Sequence, residues 1–109
     1  MAGLREPTLF ILTALATGPR HGYGIIQAVH ELSDGRLRLR AGTLYEALDR
    51  LERDGTVRFD REERGGGPPR RYFALTAAGR RLLAEEAQRL ETTATVVRAQ
   101  LGAAGADGS

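Results

Sequence analysis

The most apolar segment of the chain runs from residue 8 to residue 17, where hydrophobic side chains lie on nearly every side of a helical wheel. Pro7 suits the first turn of a helix, because the N–H that proline lacks has no helical acceptor there. Thr17-Gly18-Pro19 predicts the end of this helix. A helix that is apolar all round must be covered on more than one side. We therefore expect the domain core on one face and a partner subunit on the other.

A second helix is marked by one apolar stripe. Ile25, Val29 and Leu32 recur at i, i+4 and i+7, which predicts that all three are buried. The turn residues Ser33-Asp34-Gly35 close this helix. Residues 36–40 then alternate arginine with leucine, and a period of two predicts a short strand.

The third predicted helix starts near Thr43 and has a clear inner and outer face. Thr43 and Glu46 match the Thr-x-x-Glu capping box. Leu44, Leu48 and Leu51 share one stripe, with Ala47 between them. At about 100° per residue, the opposite side carries Thr43, Glu46, Arg50 and Arg53. Asp54-Gly55 supplies the stop, with Gly55 placed for a left-handed conformation after the helix.

The remainder of the chain predicts a hairpin followed by a long helix. Val57 to Asp60 alternates as a strand, residues 64–69 form a glycine- and proline-rich tip, and residues 71–75 return. Thr76 caps a final helix over 77–101, and the small, polar tail 102–109 is predicted to be disordered. Two interleaved heptad rows in this helix predict a seam for a partner helix: Leu83, Leu90 and Val97, and Ala87, Ala94 and Leu101.

The predicted order is that of a mainly α fold with a small β-hairpin, a winged helix-turn-helix with a C-terminal dimerisation helix. The DNA-binding domain would span residues 1–76. In such a fold, a short helix and a basic hairpin together read DNA.

Charge supports this interpretation only through its distribution. The net charge is +2, but residues 36–81 hold twelve arginines against seven acidic residues, while the remainder is acidic. A basic middle fits a phosphate-facing surface. All sixteen basic residues are arginine. The codon usage of a GC-rich genome would also explain the absence of lysine.

The chemistry available to the chain argues against an enzyme. Cysteine is absent, and the two histidines, His21 and His30, lie nine positions apart, a poor spacing for a metal site. Gly65-Gly66-Gly67 lacks the lysine and the helix start of a phosphate-binding loop. We therefore expect no catalytic residues, no cofactor and no metal.

Three segments, in this order and at this spacing, resemble PadR-type transcriptional regulators of the short class with one C-terminal helix. They are Leu9-Phe10-Ile11-Leu12 through Gly18-Pro19-Arg20-His21-Gly22-Tyr23, Gly42-Thr43-Leu44-Tyr45 through Leu48-Asp49-Arg50-Leu51-Glu52, and Arg70-Arg71-Tyr72-Phe73-Ala74-Leu75-Thr76 through Leu83. The resemblance implies a cytoplasmic homodimer that binds a palindromic DNA operator, usually as a repressor. It implies that the first and last helices build the dimer, and that a small aromatic or lipophilic effector acts on it.

The chain departs from the family pattern at several positions. Proline often follows Gly-Thr-Leu-Tyr where this chain has Glu46, and the wing carries Gly67-Pro68-Pro69 in place of Gly-Arg-Pro. Because this arginine is missing from the wing motif, its role would be taken by Arg64 or Arg70. Some relatives bind planar drugs between tryptophans. This chain has no tryptophan and therefore lacks the residues for that mode of binding.

Each predicted DNA contact has a plainer alternative. Thr43 could only cap its helix, Tyr45 could only pack at the edge of the core, and Arg50 and Arg53 could pair with Glu46 or Asp49. Arginines at a hairpin tip are often merely solvated.

The predicted DNA-binding residues are Thr43, Tyr45, Arg50, Arg53, Arg64, Arg70 and Arg71. The predicted dimer residues are Leu9, Phe10, Leu83, Ala87, Leu90, Ala94, Val97 and Leu101. The alternative function is a winged-helix protein-interaction module without specific DNA binding.

Overall fold

Residues 3–106, which the computed structural model describes, form four helices and a small three-stranded antiparallel sheet. The elements in chain order are α1 Glu6–Ala14, β1 Arg20–His21, α2 Gly22–Leu32, α3 Ala41–Arg53, β2 Val57–Glu63, β3 Arg70–Leu75 and α4 Ala77–Ala106. The strand order in the sheet is β1-β3-β2. The predicted fold class, a winged helix-turn-helix with a long C-terminal helix, is confirmed.

The core lies between the first three helices and the sheet. Burial of one such side chain stabilises the fold by about 1.5–3 kcal/mol. The largest fully buried side chains come from every one of these elements except β1: Phe73, Ile11, Leu12, Leu15, Ile25, Leu44, Leu48, Val29 and Val57. The apolar character of α1 and the apolar stripes of α2 and α3 therefore identified most of the core.

One member of the predicted stripe of α2 is not in the core. Ile25 and Val29 are fully buried, but Leu32 is 51% exposed, and Ala28 contributes to the core in its place. Leu32 lies in the last turn of α2, at the edge of a groove between α1 and α2. Leu32 continues the apolar stripe of α2, but among the described residues no helix or strand packs over this last position of the stripe.

The strand predicted at residues 36–40 is wrong. This segment belongs to no strand, and the third strand of the sheet is β1, where Arg20 pairs with Phe73 and His21 with Tyr72. Leu37 and Leu39 still pack against the core, so the alternation correctly predicted which side chains point inward. A strand also needs a neighbouring strand, which a local pattern does not reveal.

The start of α3 differs from the prediction. The helix begins at Ala41, Arg40 occupies the N-cap position, and no side chain caps it. Thr43 is already the third helical residue, so the predicted capping box with Glu46 does not form. The end is as predicted: Gly55 has φ 78°, and Thr56 N–H donates to Leu51 O at 3.0 Å.

Helix α4 begins as predicted and continues further. Thr76 Oγ1 accepts a hydrogen bond from Gly79 N at 3.0 Å and donates one to Gly55 O at 2.6 Å, which ties the start of α4 to the end of α3. The helix runs 30 residues to Ala106, about 45 Å at 1.5 Å per residue. It therefore passes the predicted end at Leu101 and includes part of the predicted disordered tail. Residues 107–109 of that tail lie outside the described residues.

Among residues 3–106, no helix combines the length and apolar character needed to cross a membrane.

Candidate nucleic-acid interface

Helix α3 presents a polar outer face because its leucines point into the core. Leu44, Leu48 and Leu51 are at most 4% exposed. Arg53 lies on the opposite side, is exposed, and forms no ion pair within the described part of the chain. Its guanidinium is thus available to an anion in front of α3.

Arg50 and Thr43 lie on a flank of α3 rather than at the centre of its outer face. Arg50 Nη2 donates to Thr8 Oγ1 of α1 at 3.3 Å, so the predicted alternative of pairing with Glu46 or Asp49 is not what the side chain does. Thr43 is exposed beside the same cleft. Both residues therefore face the side where α1 begins.

Tyr45 lies on the other flank of α3 and is 36% exposed. Its ring meets the ring of Phe73 edge-on, with 6.3 Å between centroids. Its phenol oxygen packs against Gly22, where a Cβ atom would collide with it. Tyr45 therefore packs at the edge of the core and is also partly exposed. Its two predicted roles, core packing and DNA contact, are compatible.

Arg71 lies on the face of the wing that carries Phe59 and Phe73. Its Cζ atom lies 5.3 Å from the ring centroid of Phe59 and 5.4 Å from that of Phe73. The buried ring of Phe73 also contacts Tyr45 on α3. The predicted residues Tyr45 and Arg71 therefore contact the same ring.

The opposite face of the hairpin carries a second arginine on an aromatic ring, but its charge is neutralised. Arg61 Cζ lies 4.0 Å from the ring centroid of Tyr72, and Arg61 pairs with Asp60 and Glu63. Hydrogen bonds, first from Arg58 and then from Arg61, hold the pKa of Asp60 below its usual value. Arg58 and Arg61 on this face therefore offer little free positive charge.

The wing tip holds the other two predicted arginines. Arg64 pairs with Glu62 at 3.3 Å, and its side chain is 77% exposed, so the pair is weak and easily exchanged for another anion. Arg70 is exposed and has no ion pair among the described residues. Both lie at the end of the hairpin, away from Tyr45.

The sequence reasoning missed Phe59. The sequence predicts a strand over Val57 to Asp60 but gives Phe59 no role, and Phe59 is 41% exposed. The register of β2 and β3 shifts between Phe59 and Arg61, where the hairpin leaves the body of the domain. No local pattern signals that bulge, which depends on the pairing of the two strands.

The predicted dimer residues differ in how far their own chain buries them. Phe10 and Leu83 are partly buried against the core of their own chain. On α4, Leu90, Val97 and Leu101 are 43%, 50% and 69% exposed, in a row on the part of the helix beyond the body. The remaining predicted members are Leu9 and Ala94, which are partly buried, and Ala87, which is exposed.

A buried carboxylate fixes the N-terminal segment to α4 where that row begins. Glu86 is 6% exposed and accepts hydrogen bonds from Leu4 N at 3.1 Å and from Arg89 Nε and Nη2 at 2.8 and 2.7 Å. The hydrogen bonds from Arg89, more than that from Leu4 N, keep the pKa of Glu86 below its ordinary value of 4.5.

A cavity of about 630 Å³ lies between the N-terminal segment, α1, α3 and the start of α4. Ile11, Ala47 and Leu82 contribute apolar lining, and Arg5 and Glu46 contribute charge. Its size is within the range of pockets that hold small organic ligands, about 300–1,000 Å³. Because α3 forms one wall, a ligand here would touch the same helix that carries Arg53.

Comparison with known proteins gives a consistent family. The model of the "Transcriptional regulator PadR-like family" matches residues 11–85. The transcriptional regulator Rv3488 of Mycobacterium tuberculosis is 38% identical over 89 residues, which cover 82% of this chain and 79% of that protein. The transcriptional regulator YqjI of Escherichia coli is 33% identical over 103 residues, 94% of this chain and 48% of YqjI.

A 37.1 kDa uncharacterized protein in transposon TN4556 of Streptomyces fradiae is 46% identical over 82 residues, 75% of this chain. The matched segments span 22% of the transposon protein and about half of YqjI.

Solved structures share the fold. A PadR-like transcription factor of Bacteroides fragilis has a TM-score of 0.67 at 34% identity, covering 84% of this chain and 87% of that one. Bacillus subtilis PadR, solved in complex with operator DNA, has a TM-score of 0.65 at 24% identity and covers 74% of this chain and 46% of that one.

Proposed function

The chain belongs to the transcriptional regulator PadR-like family, and from this membership we propose that it works as a cytoplasmic homodimer that binds a specific operator and represses transcription. The family consists of transcriptional regulators and not of enzymes. The observation that carries the proposal is that Tyr45 on α3 and Arg71 on the wing contact the same ring, Phe73, which places the flank of α3 beside the basic wing.

In this proposal α3 is the recognition helix and enters the major groove, while the hairpin, the wing, follows the adjacent backbone. Arg53 would face base edges or phosphates, and Arg71 a phosphate beside the groove. Arg64 and Arg70 at the wing tip would reach the next stretch of backbone, and Thr43 and Arg50 the backbone on the α1 side. The operator complex of Bacillus subtilis PadR supports this arrangement by analogy of fold.

The dimer would form along α4. Leu90, Val97 and Leu101 lie exposed at heptad-related positions, with Ala94 beside them, and a second copy of α4 would remove them from water. Two-fold symmetry would then place two recognition helices on one face of the duplex. The operator should be palindromic, with half-sites about 34–36 Å apart or a small multiple of that spacing.

A small aromatic or lipophilic effector would release the operator. The cavity between α1, α3 and α4 is one place for such a ligand, because its apolar lining meets a recognition-helix residue, Ala47. A ligand that bound only one orientation of α3 would shift the population between DNA-competent and DNA-free states.

The test is a gel-shift titration at low salt with DNA from upstream of the gene that encodes the chain. We expect tighter binding to this DNA than to random duplex of equal length. Equal binding to both would rule out specific recognition.

The rival function, a winged helix that binds a protein, differs in salt dependence. A protein that neutralises several phosphates loses affinity steeply and linearly on a logarithmic scale as salt rises. We expect that steep slope for the upstream duplex. A flat response to salt, or no DNA binding at all, would favour the protein-interaction function.

A further inference from the structure

Phe59 is an exposed aromatic residue on the wing, and its contacts indicate a role other than packing. A single exposed hydrophobic side chain needs no explanation in itself. This ring, however, meets Phe73 edge-on, with 6.1 Å between centroids and 78° between planes, and both rings lie beneath the Arg71 guanidinium. The two rings and the arginine form one cluster, which we call the wing cluster.

The wing cluster restrains a free positive charge. Both Arg71-to-ring distances, 5.3 and 5.4 Å, are within the roughly 6 Å over which a cation is attracted to a ring face. Within residues 3–106, Arg71 has no carboxylate partner. Its charge is therefore available to an anion, while the rings limit the positions that its side chain samples.

The wing cluster also fixes Arg71 relative to α3. Phe73 is 1% exposed and contacts both Phe59 on β2 and Tyr45 on α3. Phe73 is thus the rigid element, and Phe59 closes the outer side of the site that holds the guanidinium.

We propose that Phe59 is a positioning residue for DNA binding. Its ring, together with Phe73, holds Arg71 beside the recognition helix, so that the guanidinium meets a backbone phosphate when α3 enters the groove. An arginine held in place before binding loses less conformational freedom on binding, which increases affinity. This inference rests on the proposed DNA-binding function.

Arg61 provides an internal contrast. It also stacks on an aromatic ring of the hairpin, Tyr72, but two carboxylates neutralise it and it lies on the opposite face. Replacing Arg61 should therefore affect DNA binding less than replacing Arg71.

The experiment measures DNA binding by fluorescence anisotropy, using the full-length chain and a labelled duplex of random sequence over a series of salt concentrations. A random duplex suffices because a phosphate contact does not depend on sequence. The variants are Phe59→Leu, Phe59→Tyr, Arg71→Ala, Arg61→Ala and the double variant Phe59→Leu/Arg71→Ala.

Arg71→Ala should lower affinity and reduce the salt slope by about one. Phe59→Leu, which keeps an apolar side chain but removes the ring, should weaken binding about two- to fivefold, because the less restrained arginine then loses more conformational freedom on binding. Phe59→Tyr should bind as the wild type does. In the Arg71→Ala background, Phe59→Leu should have no further effect.

The inference is overturned if Phe59→Leu binds as tightly as wild type, or if its loss is the same with and without Arg71. A wild-type chain that does not bind duplex DNA would instead defeat the proposed function. A measurement on the wild type guards against misfolded variants: the Arg71 Nε–Hε NMR signal, identified by its loss in Arg71→Lys, should be shifted by the ring currents of Phe59 and Phe73. A signal at the position of a free arginine would also overturn the inference.

Discussion

Gly22 lies in the first turn of α2, directly beneath the phenol oxygen of Tyr45. A methyl group at this position would force the Tyr45 ring away from Phe73, or α2 away from α3. We expect Gly22→Ala to lower the free energy of unfolding by about 1–3 kcal/mol, the usual effect of overpacking. Chemical denaturation monitored by circular dichroism measures the change.

Gly42 provides the matched control, because it lies in the first turn of α3 and a Cβ atom there would meet nothing within 4 Å. Alanine is favoured over glycine in a helix by about 0.5–1 kcal/mol, so Gly42→Ala should stabilise the chain. If Gly22→Ala were also stabilising, the close packing of Tyr45 against α2 would be disproved.

Glu86 should make the stability of the chain depend on pH. Hydrogen bonds from Arg89, and then from Leu4 N, favour its ionised form, so its pKa is lower in the folded state than in the unfolded state. The stabilisation is therefore present above the unfolded-state pKa, ordinarily 4.5, and is lost as pH falls through the folded-state pKa. Glu86→Gln removes this contribution at all pH values.

We expect the wild type to melt at a higher temperature than Glu86→Gln near neutral pH, and the difference to shrink as the solution is acidified below pH 4.5. Taking the difference removes the effect of Asp60, which titrates in both proteins. A difference independent of pH would show that the carboxylate charge of Glu86 does not stabilise the fold.

Among the elements, the sequence predicted those whose stability comes from their own periodic contacts. The leucine stripe of α3 and the Gly55 stop are local, and both are present. The two-residue strand β1 is too short to have a period, and it exists only because β3 lies beside it. Residues 36–40 have the alternation of a strand but no partner strand, and they form an irregular connection between α2 and α3.

In the candidate site, too, positions set by local geometry could be predicted and positions set by contacts between elements could not. Helical geometry alone placed Arg53 on the outer face of α3. The position of Arg50 depends on α1, whose Thr8 accepts its hydrogen bond. The wing cluster depends on the register between β2 and β3, so Phe59 could not be assigned from its neighbours in sequence.

Helix α4 carries the prediction about assembly. In the proposed dimer, Leu90 lies on the seam and Ala99, nine residues later, lies on the far side of the helix; both are exposed in the single chain. Leu90→Asp would bury an unpaired carboxylate in each half of the interface, a cost of at least about 3 kcal/mol, or more than a hundredfold in the dissociation constant.

Sedimentation or light scattering over a dilution series measures the effect. Leu90→Asp should be largely monomeric at concentrations where the wild type and Ala99→Asp are dimeric. If the two aspartate variants dissociate alike, the seam is not the row that contains Leu90.

The whole molecule consists of a body and a projecting helix, with extents of 66 × 27 × 21 Å. Leu82 and Leu83 pack against the core of the body, and Glu86 and Arg89 clamp the N-terminal segment. Over residues 90–105 of α4, the side chains are exposed except for the partly buried Ala94. The fold of the body therefore draws its stability from residues before the projecting part.

A chain that ends at Arg89 should accordingly keep its fold and lose its partner. We expect cooperative unfolding, retention of the winged-helix signature in NMR spectra, a monomeric mass, and DNA binding weaker than that of the dimer, because each half-site is then bound independently. The full-length Leu90→Asp variant is the control, since it should match the truncated chain in being monomeric and in DNA affinity. An unfolded truncated chain beside a folded Leu90→Asp monomer would mean that the projecting helix stabilises the body without dimerisation. A truncated chain that is still dimeric would move the interface to the exposed surface of α1.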